Sequence, residues 1–145
     1  FVRFGMTHRN TYVNAPLTLE PTFETRRRRG LFFAGQMSGV EGYVESAASG
    51  LVAGVGAAFR ARGDEPPTLP ADTALGALGL YIARSNPENY QPTNITFGIL
   101  PELGFRVRDK AKKKLALSHR SLTSLEGFRE LLADREGRLP EAIGS

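Results

Sequence analysis

The most distinct signal along the chain is Leu31-Phe32-Phe33-Ala34, a short unbroken apolar run with the pattern of a strand covered on both faces. A glycine-rich stretch, Gly35-Gln36-Met37-Ser38-Gly39-Val40-Glu41-Gly42, follows it, and after that the spacing predicts a helix over 43–62. Val44, Ala47, Ala48, Leu51, Val52, Val55 and Phe59 recur at helical period and predict its buried face. Gly42, Ser46, Gly50, Gly54 and Ala58 form a second row at intervals of four. An interior glycine costs about 1 kcal/mol relative to alanine, so this row predicts close approach of another backbone.

Upstream, residues 1–4 and 12–19 read as extended, interrupted by a turn over 5–10 and by Pro16 and Pro21, and 23–30 reads as a loop or hairpin end. Downstream, Pro66, Pro67 and Pro70 make a stiff connector. Asp72 is the expected N-cap of a helix over 73–84 that buries Leu75, Leu78 and Ile82. Residues 86–98, rich in Pro and Asn with Tyr90 and Phe97, predict an ordered loop. A second long helix is expected over 109–134, with Leu115, Leu122, Leu125, Phe128, Leu131 and Leu132 apolar and a break near Ser124. Residues 137–145 read as a frayed tail. There is no internal repeat. The pattern predicts an α/β chain: a first portion over 1–65 built on a strand, glycine turn and helix, and a helical and loop region over 66–136 packed on it.

Length and composition narrow the class. At 145 residues with 41% hydrophobic residues the chain is long enough for a core of ordinary density. It begins with Phe1 in an apolar stretch that reads like the middle of a structure, so a fragment of a longer protein is expected. No apolar run approaches the roughly 20 residues that span a bilayer, and no signal peptide is visible. With no Cys the segment has no disulfide or thiolate metal site, and the cytoplasm is the expected compartment. The formal charge of +4 is concentrated in Arg26, Arg27, Arg28 and Arg29 and again from Lys110 to Arg120, two clusters suited to attracting phosphates.

The glycine turn carries the chemistry. A strand that ends in such a turn and enters a helix aims the unpaired N–H groups of the first helical turn beyond the strand end, where the helix dipole favours an anion or a polarised oxygen. Gly35, Gly39 and Gly42 allow close backbone approach, and Gln36 and Ser38 offer side-chain hydrogen bonds to a ribose or ribityl hydroxyl. The expected ligand is the diphosphate-bearing part of a dinucleotide, most simply FAD. The spacing is not G-x-G-x-x-G, so this is a second contact element and not the main phosphate loop.

Several ordered blocks carry a family resemblance. Phe4-Gly5 with Thr7-His8-Arg9-Asn10-Thr11-Tyr12 comes first, then Leu31 to Gln36 running through Gly39 to Ala48. Gly76-Ala77-Leu78 with Tyr81-Ile82 and Gln91-Pro92 with Asn94 and Phe97 to Pro101 complete the set. In this order they closely resemble the folate- and FAD-dependent tRNA (uracil-5-)-methyltransferases, over about two-thirds of the chain and within their C-terminal third. The resemblance implies methyl transfer to C5 of a T-loop uridine, with methylenetetrahydrofolate as carbon donor, FAD as hydride source and NAD(P)H as reductant. It also implies that the G-x-G-x-x-G loop and the catalytic cysteines lie upstream, so no catalytic residue and no metal ligand is assigned here. Thr93, Thr96 and Gly56 depart from the residues common in the family.

With the resemblance, Gly35, Gln36, Ser38, Gly39, Val40, Glu41 and Gly42 are assigned to the cofactor, Glu41 through its backbone N–H. His8, Arg9 and Asn10 are assigned to folate or substrate together with Asn94 and Phe97, His8 by stacking on or bonding to the pterin. Arg26 to Arg29, Lys110, Lys112, Lys113, Lys114 and Arg120 are the candidate tRNA contacts, acting on phosphates. Two alternatives stay open: an FAD-dependent protein that modifies tRNA wobble uridines, where a Thr-Thr-like pair is expected in place of Val40-Glu41, and a non-catalytic basic RNA-binding module.

Overall fold

The computed structural model describes residues 11–136. Helix α1 (Ala15–Thr18) carries Pro16 in its first turn, where a missing N–H costs nothing. The stretch expected to be extended up to Leu19 is therefore helical in part. The chain then folds back through a tight reversal in which Glu20 N–H donates to the Glu24 carbonyl (2.8 Å) and Phe23 N–H to the Glu20 carbonyl (2.9 Å). Phe23 sits at φ 65°, a costly backbone for a bulky residue, and its fully buried ring anchors it there.

The strand expected at Leu31–Ala34 does not form among the described residues. Phe32 makes a single antiparallel bridge to Glu24, and Leu19–Thr25 and Val40–Thr93 are the other isolated bridges. A strand persists only where a neighbour continues the ladder, and here the reversal at 19–25 offers one bridge before the chain turns away. The segment stays extended, with Leu31 exposed and Phe32 and Phe33 packed against the core.

Helix α2 (Tyr43–Ala61) buries Phe59 and packs Val52 on the core as its apolar spacing predicts, but the rest of its inward face departs from that stripe. Ser49, Ala53, Gly56 and Phe59 are buried, whereas Val44 is 79% and Leu51 66% exposed. Close approach occurs at Gly56, where a Cβ would lie 2.7 Å from the Phe32 ring, and not at Gly50 or Gly54, which have open space around them. The ring of Phe32 packs on this face, where Gly56 leaves room for it.

Helix α3 (Ala74–Arg84) buries Leu78 and Ile82 as expected. Its N-cap is Thr73, whose hydroxyl accepts from Gly76 N–H (3.0 Å), one residue later than the spacing suggests. Asp72 serves another purpose: its carboxylate accepts from Ser124 Oγ (2.8 Å) and lies 3.6 Å from Arg120 Nε, tying α3 to helix α4 (Lys110–Glu136). Helix α4 starts on the Asp109 carboxylate, which accepts from Ala111 (2.8 Å) and Lys112 (3.1 Å), and it runs through Ser124 without a break. Leu51, Val55, Leu75, Leu125 and Phe128 line an open apolar groove of about 600 Å³ between α2 and α4.

The core joins residues from both sides of position 65: Leu19, Phe23 and Val40 pack with Ala53, Leu78, Ile82 and Tyr90. One ion pair ties the reversal to the far end of α2. The Glu24 carboxylate, 4% exposed, receives Arg60 Nε (2.8 Å) and Nη2 (2.9 Å) and also Gly30 N–H (2.7 Å). The hydrogen bond from Arg60 holds the Glu24 carboxyl below its ordinary range despite burial.

Candidate dinucleotide turn

The glycine stretch divides into a 3-10 turn (Gly35–Ser38), a left-handed Gly39 at φ 80°, and Gly42 at φ 87° leading into α2. Its nearest fixings come from the turn itself and from Ser49 of α2. Gly35 N–H donates to Ser49 Oγ (2.8 Å), Ser38 Oγ to the Gly35 carbonyl (2.7 Å), Gly39 N–H to Gln36 (3.0 Å) and Val40 N–H to Gly35 (3.4 Å).

This revises several individual expectations. Ser38 is fully buried and its hydroxyl is committed inside the turn, so it has no hydrogen bond to offer a ligand hydroxyl. Glu41 N–H, expected to face the flavin, donates to the Thr93 carbonyl (2.9 Å). Gly39 and Val40 are buried, and their amides are likewise taken. What the turn presents outward is the N-terminus of α2: the amides of Gly42, Tyr43, Val44 and Glu45 have no acceptor among the described residues. Gln36 is exposed beside them in sequence. Among the described residues these four donors at the head of a 19-residue helix have no acceptor, an arrangement that favours an electron-rich oxygen.

A second segment straps the turn in place through Tyr90, Thr93 and Ile95, residues that the sequence pattern did not assign to the site, although it did assign their neighbour Asn94. Thr93 N–H donates to the Gly39 carbonyl (3.1 Å) while Thr93 accepts from Glu41, a parallel bridge around Val40. Tyr90 O–H reaches the carbonyls of Ser38 (3.2 Å) and Gly39 (3.4 Å). Ile95 N–H donates to the Glu45 carboxylate (3.3 Å). Tyr90 is buried against Tyr12 and Tyr81, and desolvation, with smaller contributions from these two tyrosines, keeps its hydroxyl protonated well above the usual tyrosine range. The aromatic-and-proline composition of residues 86–98 signalled order; it gave no hint of the partner.

Of the residues expected on the substrate side, Asn94 is exposed next to the turn, and a Cβ on Gly42 would lie 2.8 Å from its Nδ2. Phe97 is 43% exposed with Lys114 Nζ 5.5 Å from its ring centre. His8, Arg9 and Asn10 lie outside the described residues.

The basic candidates separate into two kinds. Arg26 is engaged by Glu20 (2.6 Å) and the Ala83 carbonyl (3.1 Å), and Arg29 by Glu65 (3.3 Å). Arg120 donates to the carbonyls of Pro101 (2.6 Å) and Glu102 (3.0 Å), so it clasps α4 to the preceding loop. Lys113 lies 3.9 Å from Glu102. Arg27, Arg28, Lys110 and Lys112 are exposed. Arg29 and its partner Glu65 stand beyond the C-terminal end of α2, whose last residue lies about 27 Å from its first at 1.5 Å per residue. No helix among the described residues is long and apolar enough to cross a membrane.

Comparison with known proteins fits this turn-and-helix unit. Residues 1–65, which contain the turn, match the model of the GIDA family, glucose inhibited division protein A. The TrmFO methylenetetrahydrofolate–tRNA-(uracil-5-)-methyltransferase of Symbiobacterium thermophilum is 57% identical over 129 residues, 88% of this chain and 29% of that protein. The TrmFO protein of Pelotomaculum thermopropionicum is 51% identical over 132 residues, 91% of this chain and 30% of that protein. The chain belongs to this methylenetetrahydrofolate–tRNA-(uracil-5-)-methyltransferase family, and it spans about 30% of the length of the curated relatives it matches. Among solved structures, Aquifex aeolicus GidA in the form II crystal is 45% identical, with a TM-score of 0.45 over 47% of this chain and 11% of that one.

Proposed function

We propose that this chain is the part of a folate- and FAD-dependent tRNA (uracil-5-)-methyltransferase that completes the flavin site, within a Rossmann-like FAD-binding domain whose G-x-G-x-x-G loop lies elsewhere in the polypeptide. The observation that carries this is the 51–57% identity, over about nine-tenths of the chain, to relatives bearing that name. The residues present fit a flavin. The amides of Gly42 to Glu45, without an acceptor among the described residues, supply donors and the positive end of a helix dipole. The carboxylates of Glu41 and Glu45 lie in the same turn and repel a phosphate, so these amides suit an uncharged, electron-rich oxygen of the flavin ring or ribityl chain better than the diphosphate.

When bound, FAD supplies hydride to the one-carbon unit of methylenetetrahydrofolate, with NAD(P)H as its reductant. The chain's own residues bind and orient. The α2 amides hold one edge of the cofactor, Gln36 remains available for a hydroxyl contact, and Asn94 and Phe97 flank the substrate side. His8, with Arg9 and Asn10, holds folate against the flavin. Arg27, Arg28, Lys110, Lys112 and Lys114 are the exposed basic side chains assigned to tRNA phosphates, which position the RNA without reading its sequence. The setting is cytoplasmic.

The test uses the intact protein. It should purify with flavin absorbance and transfer label from methylenetetrahydrofolate to C5 of a T-loop uridine. Absence of both flavin and methyl transfer would sink the reading, and modification confined to the wobble uridine would replace it with the alternative function.

A further inference from the structure

We propose that Tyr90 is a positioning residue for the cofactor turn, its phenol O–H and the strap over 90–95 fixing the direction in which the first-turn amides of α2 point. The inference rests on the flavin reading above and goes beyond it by giving a role to a side chain remote from the open donors.

The hydrogen bonds form a closed circuit. Tyr90 O–H supports the Ser38 and Gly39 carbonyls from beneath, and Thr93 exchanges hydrogen bonds with Gly39 and Glu41. Ile95 N–H holds the Glu45 carboxylate at the head of α2. Val40, fully buried between these fixings, has no room to rock. Gly39 must be glycine for two reasons: its φ of 80°, and the Tyr90 hydroxyl, which a Cβ would overlap. The turn has therefore been cut to fit the ring. The same strap carries Asn94, beside Gly42, so displacing the phenol shifts the cofactor amides and a substrate-side residue together.

Tyr90→Phe in the intact protein keeps the ring and deletes one hydroxyl. Loss of one net hydrogen bond that orients the site predicts about a five- to tenfold weaker FAD affinity, together with a displaced flavin absorbance maximum. A purely structural tyrosine would lower thermal stability and leave the spectrum of bound flavin where it was. Tyr81→Phe is the comparison: its hydroxyl reaches the Gln91 carbonyl of the strap (3.4 Å) and no atom of the turn itself, so it should displace the spectrum less than Tyr90→Phe does.

Thermodynamic reciprocity supplies a measurement on the unmodified protein. If the strap orients the turn for FAD, FAD must protect the strap. Peptide-level hydrogen exchange over 38–46 and 90–97 should slow about fivefold when FAD is added to flavin-depleted protein. Unchanged affinity and spectrum in Tyr90→Phe, or unchanged exchange over 90–97 on FAD binding, overturns the proposal and leaves the flavin reading standing. A wild-type protein that binds no FAD overturns both.

Discussion

Gly39→Ala probes the packing of the turn against Tyr90 most sharply. At φ 80° an alanine must adopt the left-handed backbone, which costs about 1–2 kcal/mol. Its Cβ would also overlap the Tyr90 hydroxyl and lie 2.8 Å from Cζ and 2.9 Å from Cε1 of the ring. That ring is 6% exposed and boxed in by Tyr12 and Tyr81, so it has little room to retreat, and overpacking adds about 1–3 kcal/mol. The sum is about 2–5 kcal/mol. Gly30→Ala is the matched control: φ is 78°, and nothing lies within 4 Å of the added Cβ. It should cost the backbone strain alone, about 1–2 kcal/mol. The two substitutions are compared in the intact protein by urea midpoints at equal slope, with hydrogen exchange over 35–46 reporting the local effect. Adding Tyr90→Phe to Gly39→Ala should restore only part of the stability, because the ring carbons remain in the way. Equal costs for Gly39→Ala and Gly30→Ala would refute the placement of the phenol beneath the turn.

Four further outcomes can be checked, three on described residues and one on the proposed role of His8. The Glu24 carboxyl is held below its ordinary value of 4.5, so its ion pair stabilises fully above that pH; the unfolded chain takes the proton first as the pH falls, and the stabilisation fades below about 4.5. Glu24→Gln should lower the melting temperature at neutral pH and flatten its dependence in that acidic window, and an unaltered profile would contradict the pairing. Arg120→Ala should loosen the start of α4 and raise its hydrogen exchange, whereas Arg27→Ala with Arg28→Ala should weaken tRNA binding and reduce its salt slope by about 1 for each phosphate no longer neutralised. If Arg27 and Arg28 touch no phosphate, that slope stays where it was. His8→Ala should depress methylation more than flavin content; equal loss of both counts against a folate role.

How much of this was legible in the sequence depended on whether the deciding interaction was local. Helix α2 and its glycine-rich entry, the burial of Leu78 and Ile82, and the Asp109 start of α4 follow from periodicity and composition. The inward face of α2 follows only in part, because Phe32 packs on it across a sequence separation of more than twenty residues. The strand expected at Leu31–Ala34 required a neighbour that the reversal at 19–25 provides for only one bridge. Asp72 has the chemistry of an N-cap, yet Thr73 satisfies the helix and frees the carboxylate for α4. Within the candidate site the glycines were evident, while the destination of each amide was not. Nothing local in Tyr90-Gln91-Pro92-Thr93 shows that these residues take up the Glu41 N–H and brace Gly39. Structural pairs likewise claim Arg26, Arg29 and Arg120 from the basic clusters, and a run of charges does not reveal such pairs.

That the open amides at the head of α2 hold a flavin is best tested by a crystal structure of the intact protein with FAD. A flavin ring or ribityl oxygen is expected about 3 Å from at least one amide nitrogen among Gly42, Tyr43, Val44 and Glu45, with the Tyr90 to Gly39 hydrogen bond kept. A flavin bound with none of its atoms near these amides, or with Glu41 N–H released from Thr93 to bind it, would contradict this assignment.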